Sequence, residues 1–185
     1  MKEKKLFPMG YKYARVVLVL FIVFLNISCD QASKHKARIN IEFNQKIPVI
    51  SSVFYLTKAE NTGGMLSFGS NLPKFWRTIL LTYLPLLALL ISLFYLLANT
   101  KIKATDLIGY CFVIGGGFGN MIDRTLYGSV TDFMNLGVGS LRTGIFNMAD
   151  VSIMVGLGVI LLGPIQKKWF SRQKLLAGST SQDVK

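Results

Sequence analysis

The sequence predicts a mainly α-helical membrane protein, a bundle of four transmembrane helices carrying a small extracytoplasmic β-sheet. Three observations predict it. The chain is apolar, with 51% hydrophobic residues in 185 and a mean hydropathy of +0.45. Its apolar residues form solid uncharged blocks, where a soluble domain would show amphipathic stripes. Four of its nine acidic residues lie where those blocks end.

The first span is expected over about 14–32, around the 14 uncharged residues from Val16 to Cys29. An extracytoplasmic segment follows over about 36–75. Within it, Ile47 to Thr57 is rich in β-branched and aromatic residues, and Asn61-Thr62-Gly63-Gly64 is a turn signal, so a small sheet on the membrane surface fits. The second span, about 76–98, contains the 20 uncharged residues from Ile79 to Ala98, enough to cross a hydrocarbon core of roughly 30 Å. The third, about 105–122, and the fourth, about 146–166, each contain 16 uncharged residues, Leu107 to Ile122 and Val151 to Gln166. The 14- and 16-residue runs are short for spans, so each should draw its flanking carboxylate below the headgroup level. A polar tail, 167–185, completes a single integral membrane domain over 1–185.

The net charge of +12 could suit nucleic acid, but no nucleic-acid motif is present. Lys and Arg beside apolar spans read instead as topology signals and contacts to membrane lipids. Twelve of the 21 basic residues fall in the N-terminal stretch, the 99–106 loop and the tail, which favours both termini on the cytoplasmic side. The outer ends of the helices then lie near Asp30, Trp76, Ile122 and Phe146. Asp106 is left alone on the inner side beside Lys101 and Lys103 as an ordinary loop charge. His35 has no companion ligands, so neither a metal site nor a cofactor is implied.

Three carboxylates, Asp30, Asp123 and Asp150, sit at span ends, and Asp132 lies in the connection between the last two spans. An ionised Asp at a helix centre costs about 2.5–3.5 kcal/mol on insertion scales, so this concentration reads as a site. Peptide hydrolysis by two carboxylates needs one ionised and one protonated, and two like charges close together split their titrations in that way. Asn120 and Asn147 can hydrogen-bond carboxylates or substrate backbone, Arg124 can neutralise or orient Asp123, and Asp30–Lys34 has the i,i+4 spacing of an ion pair.

Five motifs occur in order: Asp30-Gln31-Ala32-Ser33-Lys34, Asn61-Thr62-Gly63-Gly64, Gly119-Asn120-Met121-Ile122-Asp123-Arg124, Gly128-Ser129-Val130-Thr131-Asp132-Phe133 and Phe146-Asn147-Met148-Ala149-Asp150. In this order, on four spans, the set resembles lipoprotein signal peptidase (signal peptidase II), the membrane aspartyl protease that matures bacterial lipoproteins. The resemblance covers about 14–166. It implies that Asp132 and Asp150 are the catalytic pair and that Asp30, Lys34, Asn61, Gly63, Asn120, Asp123, Arg124 and Asn147 support or bind substrate. It further implies removal of the signal peptide from diacylglyceryl-modified prolipoproteins before the lipidated cysteine. The enzyme would be a monomer of the bacterial cytoplasmic membrane, active at its outer face and sensitive to globomycin-type inhibitors. After Asn61-Thr62-Gly63, Gly64-Met65-Leu66 departs from the family's usual Ala-Ala-Phe, which bears on substrate and inhibitor preference.

Other readings stand beside this one. Intramembrane carboxylates also serve transporters and proton relays. Ser140 in Gly137-Val138-Gly139-Ser140 with His35 would suit a serine protease, but nothing orients that His. Ser28-Cys29 after the first apolar run resembles a lipoprotein signal, with Asn26 a poor fit to its usual aliphatic residue. Gly115, Gly116, Gly117 and Gly119 read as close helix packing.

Overall fold

The computed structural model describes residues 9–64 and 67–163. Met65 and Leu66, the basic N-terminal Lys2, Lys4 and Lys5, the end of the expected fourth span and the 167–185 tail lie outside the described residues.

Helix α1 runs Met9–Asn40, eight residues beyond the expected end at 32. Hydropathy stops at Asp30, but helical hydrogen bonding does not. At 1.5 Å per residue α1 is about 48 Å long, so its last turns carry Lys34 and Arg38 past the apolar block. Strands β1 (Ile47–Ile50) and β2 (Phe54–Asn61) form an antiparallel pair around a turn at Ser51. After a loop, α2 (Lys74–Thr78), a π-helical turn at Ile79–Tyr83 and α3 (Leu84–Ala98) form one continuous rod. The wide turn immediately precedes Pro85, which has no N–H to offer the Leu81 carbonyl.

Helix α4 (Ala104–Tyr127) ends at Gly128, whose left-handed backbone (φ 74°) lets its N–H close on the Arg124 carbonyl. The chain then enters β3 (Val130–Val138), followed by the short β4 (Leu141–Arg142). The sequence reading took this stretch as a plain connection; it supplies half of the sheet. Strand order is β1-β2-β3-β4, antiparallel throughout. A bulge in β2 sets Ala59 opposite Asp132 where Leu56 is opposite Met134. Helix α5 is described over Met148–Gly163. Paired backbone bonds between Phe146 and Met134 hold its start against β3.

Among the described residues, the helices over Gly10–Asn40 and Lys74–Ala98 are long and apolar enough to cross a membrane. Their outward residues agree, with Phe21, Phe24, Leu87, Ile91 and Phe94 exposed. Val19 and Val23 of α1, Leu96 of α3, and Leu107, Cys111 and Ile114 of α4 form the inner core. Arg15 is buried and caps the end of α3, donating to the carbonyls of Leu96 (3.1 Å) and Asn99 (2.6 Å). The α4 glycines are packing residues, as expected. A Cβ on Gly119 would lie 2.5 Å from Asp30 Oδ2, and one on Gly115 would lie 2.7 Å from the Asn26 Cβ.

Candidate active site

The site is built where α1, α4 and α5 meet β2 and β3. It begins with the way α5 starts. A helix leaves its first N–H groups unpaired, and here side chains take them. Asn147 Oδ1 accepts from the Asp150 N–H, while Asp150 Oδ2 accepts from the Asn147 N–H, both at 3.1 Å. This reciprocal pair is a capping box with Asn147 at the cap and Asp150 three residues on. The Ala149 N–H between them donates to Asp30 Oδ1 at 2.8 Å. Asp150 is thereby fixed in the first turn of a helix, where the macrodipole favours a carboxylate.

Asp132 comes from the other side, on β3, and is 4% exposed. Asn147 Nδ2 donates to Asp132 Oδ1 at 2.6 Å, and Asn61 Nδ2 donates to Asp132 Oδ2 at 3.1 Å. Asn147 therefore touches both carboxylates, one through its side chain and one through its backbone. Burial pushes the Asp132 carboxyl up to about 6. The Asp150 charge pushes the same way, and the hydrogen bonds from Asn147 and Asn61 pull against it.

Asn120 links this pair to a buried charge cluster. Its Nδ2 donates to Asp150 Oδ1 at 3.0 Å, while its Oδ1 accepts from Lys34 Nζ at 2.9 Å and from Asn147 Nδ2 at 3.1 Å. A cation on the oxygen forces the amide to present its NH₂ to Asp150, so Lys34 sets the orientation of Asn120. Lys34 is fully buried and lies 2.7 Å from Asp30 and 3.3 Å from Asp123. The i,i+4 ion pair read from the sequence is present, and Asp123 joins it from α4.

One expected role is corrected. Arg124 does not neutralise Asp123. Adjacent helical residues point about 100° apart, and Arg124 Nη2 donates to the Gly63 carbonyl at 2.9 Å, tying α4 to the loop after β2. Its buried Nε has no hydrogen-bond partner among the described residues. The cation that does reach Asp123 is Arg38, at 2.9 Å, close enough for an ion pair but misaligned for a hydrogen bond. Asp123 also accepts from Gln31 Nε2 (3.0 Å) and from the Thr131 N–H (3.1 Å). Gly63 bends under its own loop, since a Cβ there would lie 2.5 Å from Ser67 backbone atoms.

All ten residues singled out in the sequence thus fall in one connected network. Sequence reasoning missed Gln31, Arg38, Glu60, Ser129 and Thr131. Arg38 carried a readable signal, because it continues the Asp30–Lys34 face at four-residue spacing. Ser140 lies in the turn before β4, and no contact brings it to His35 on α1.

Two carboxylates bridged by one amide, one of them buried, at the rim of an apolar helical bundle suit a membrane protease of the aspartic type. The comparisons with known proteins agree. A family model for signal peptidase (SPase) II matches residues 22–165, and the chain belongs to that family. A lipoprotein signal peptidase from Syntrophus aciditrophicus (strain SB) is 30% identical over 153 residues, covering 82% of this chain and 95% of its own length. Another from Brevibacillus brevis is 35% identical over 136 residues, covering 74% and 87%. Two solved bacterial membrane enzymes share the fold, with TM-scores of 0.70 and 0.68 at 20% and 21% identity. They cover 90% and 78% of this chain and 94% and 90% of their own.

Proposed function

We propose that this chain removes signal peptides from diacylglyceryl-modified prolipoproteins, with Asp132 and Asp150 as its catalytic pair. The observation that carries the proposal is the Asn147 bridge, which holds two carboxylates of different environment around one amide. Hydrolysis by two carboxylates needs one protonated and one ionised. In the first step the ionised carboxylate removes a proton from water, and the water oxygen adds to the scissile carbonyl carbon. The protonated carboxyl gives its proton to the carbonyl oxygen. The tetrahedral intermediate then collapses: the C–N bond breaks, the leaving amine takes the proton that water gave up, and a hydroxyl of the intermediate returns a proton to the other carboxylate as the carbonyl re-forms. Burial suits Asp132 to hold the proton. The spare Arg124 Nε is a donor available to the substrate backbone.

The membrane reading belongs to the same proposal. Helices α1, α2–α3, α4 and α5 serve as four spans, with both termini cytoplasmic and the acids at the outer face of the bacterial cytoplasmic membrane. A lipid-anchored substrate then meets the dyad at the depth where its cysteine sits, and the enzyme works as a monomer. Globomycin-type inhibitors would occupy the space between the acids, as a transition-state mimic does. The test is cleavage of a lipidated prolipoprotein peptide by purified enzyme in detergent. Asp132→Asn and Asp150→Asn should each abolish turnover while the protein stays folded. Retained turnover in either variant, or equal cleavage of an unlipidated peptide, refutes the assignment.

A further inference from the structure

Strands β2 and β3 have two polar faces, and only one belongs to the dyad. Because side chains alternate along a strand, Asn61 and Asp132 point to one side while Glu60, Ser129 and Thr131 point to the other. Glu60 lies directly opposite Thr131 in the sheet register. Its two oxygens accept from Ser129 Oγ at 2.5 Å and from Thr131 Oγ1 at 2.8 Å. A hydroxyl has one proton to give. Thr131 gives it to Glu60, and its oxygen then accepts from Arg38 Nε at 2.9 Å. The Thr131 N–H donates to Asp123 Oδ2, and the same Arg38 lies against Asp123 Oδ1. Arg38 also stacks over the Tyr127 ring, 4.3 Å from its centre.

Thr131 is therefore gripped from β2, α1 and α4 at once, and it is 1% exposed. Glu60 sits one position before Asn61, and Thr131 one position before Asp132. Slippage of either strand by a fraction of an ångström would move Asn61 relative to Asp132. We propose that Glu60, Thr131 and Arg38 are positioning residues for the hydrolysis, a clamp behind the sheet that sets where Asp132 stands relative to Asp150. The proposal rests on the dyad assignment above.

The experiment compares Thr131→Val, which keeps the shape and removes the hydroxyl, with Thr131→Ser, which restores it. Lipidated peptide is the substrate, kcat and KM are measured from pH 4.5 to 8.5, and thermal unfolding is followed in parallel. Thr131→Val should lower kcat at least about tenfold with KM little changed, since misplacement by an ångström is worth up to about 100-fold. The alkaline limb of its pH–rate profile should move to lower pH, as Asp132 becomes better solvated and gives up its proton earlier. Thr131→Ser should recover most of kcat and the original limb. Arg38→Gln, which takes the grip from the other end, should reproduce the kcat loss. Wild-type kcat and pH profile in Thr131→Val overturn the proposal. So does a loss that follows the melting temperature and is not reversed in Thr131→Ser. Asp132→Asn run alongside keeps the two readings apart. Activity in that variant removes the dyad, whereas an inactive Asp132→Asn with an unaffected Thr131→Val removes only the clamp.

Discussion

Replacing Asp132 by Asn should inactivate the enzyme and, at neutral pH, make it more stable. The Asp132 carboxyl moves from an ordinary 3.8 to about 6 on folding, chiefly because burial penalises its charge. The folded state thus holds this proton more tightly than the unfolded chain does. The stability that follows is complete below pH about 4 and is lost as pH rises through about 6. At pH 8 the ionised, buried carboxylate costs about 3 kcal/mol relative to its protonated form. Asn carries no such proton. It keeps an oxygen for Asn147 Nδ2, but its NH₂ then faces Asn61 Nδ2, donor against donor, at a loss of about 1 kcal/mol. The net gain at pH 8 is about 2 kcal/mol, or roughly 4–8 °C in melting temperature for a chain of this size. Below pH 4 the order should reverse by about 1 kcal/mol. Thermal unfolding of both proteins in one detergent at pH 4, 6 and 8 measures the difference, and contributions from titrating groups remote from Asp132 cancel in it. A gap that does not change with pH, or a wild type that is the more stable at pH 8, refutes the reasoning that burial raises Asp132.

Three further outcomes are expected. Asn147→Ala removes the helix cap and the bridge together; it should cost about 1 kcal/mol of stability and about 100-fold in kcat, read from unfolding and peptide cleavage. Gly119→Ala sets a methyl 2.5 Å from Asp30 Oδ2, so the carboxylate must retreat and the protein should lose about 1–3 kcal/mol by overpacking; an unchanged melting temperature would show that the approach of α1 to α4 is not tight there. Asp106→Asn, in the first turn of α4 and far in sequence from every site motif, should leave kcat and KM within about twofold of wild type by the same cleavage assay.

Much of the site was legible because motifs record chemistry directly. Asp30, Asn120, Asp132, Asn147 and Asp150 are each picked out by residue type and order, and the structure links them in one hydrogen-bonded network. What was lost was geometry that hydropathy does not encode. The first helix was ended at 32 because apolar character ends there, yet lipid contact and helical bonding are separate conditions, and the last two turns hold Arg38. Strand β3 was read as a connection because Gly128 to Phe133 was read as chemistry. Its β-branched Val130 and Thr131, followed by Phe133, also have strand character. The Asp123–Arg124 pairing failed on a rule available from sequence alone, since neighbours on a helix do not face each other. Thr131 and Glu60 could not be found without register, because nothing in either residue's surroundings names its partner.

The arrangement of charges also explains why so many polar residues surround two acids. Asp30 and Asp123 are matched by Lys34 and Arg38, so this buried cluster is close to neutral. An unmatched ion there would cost several kcal/mol. Among the described residues, neither Asp132 nor Asp150 makes a salt bridge. The Lys34 charge reaches Asp150 through the Asn120 amide, at one remove. A lysine in direct contact would hold a neighbouring carboxylate in its ionised form. Acid–base hydrolysis by two carboxylates needs one of them protonated. Amide bonds orient a carboxylate without settling its charge, and so Asn61, Asn120 and Asn147, not lysine or arginine, make the direct contacts with the dyad.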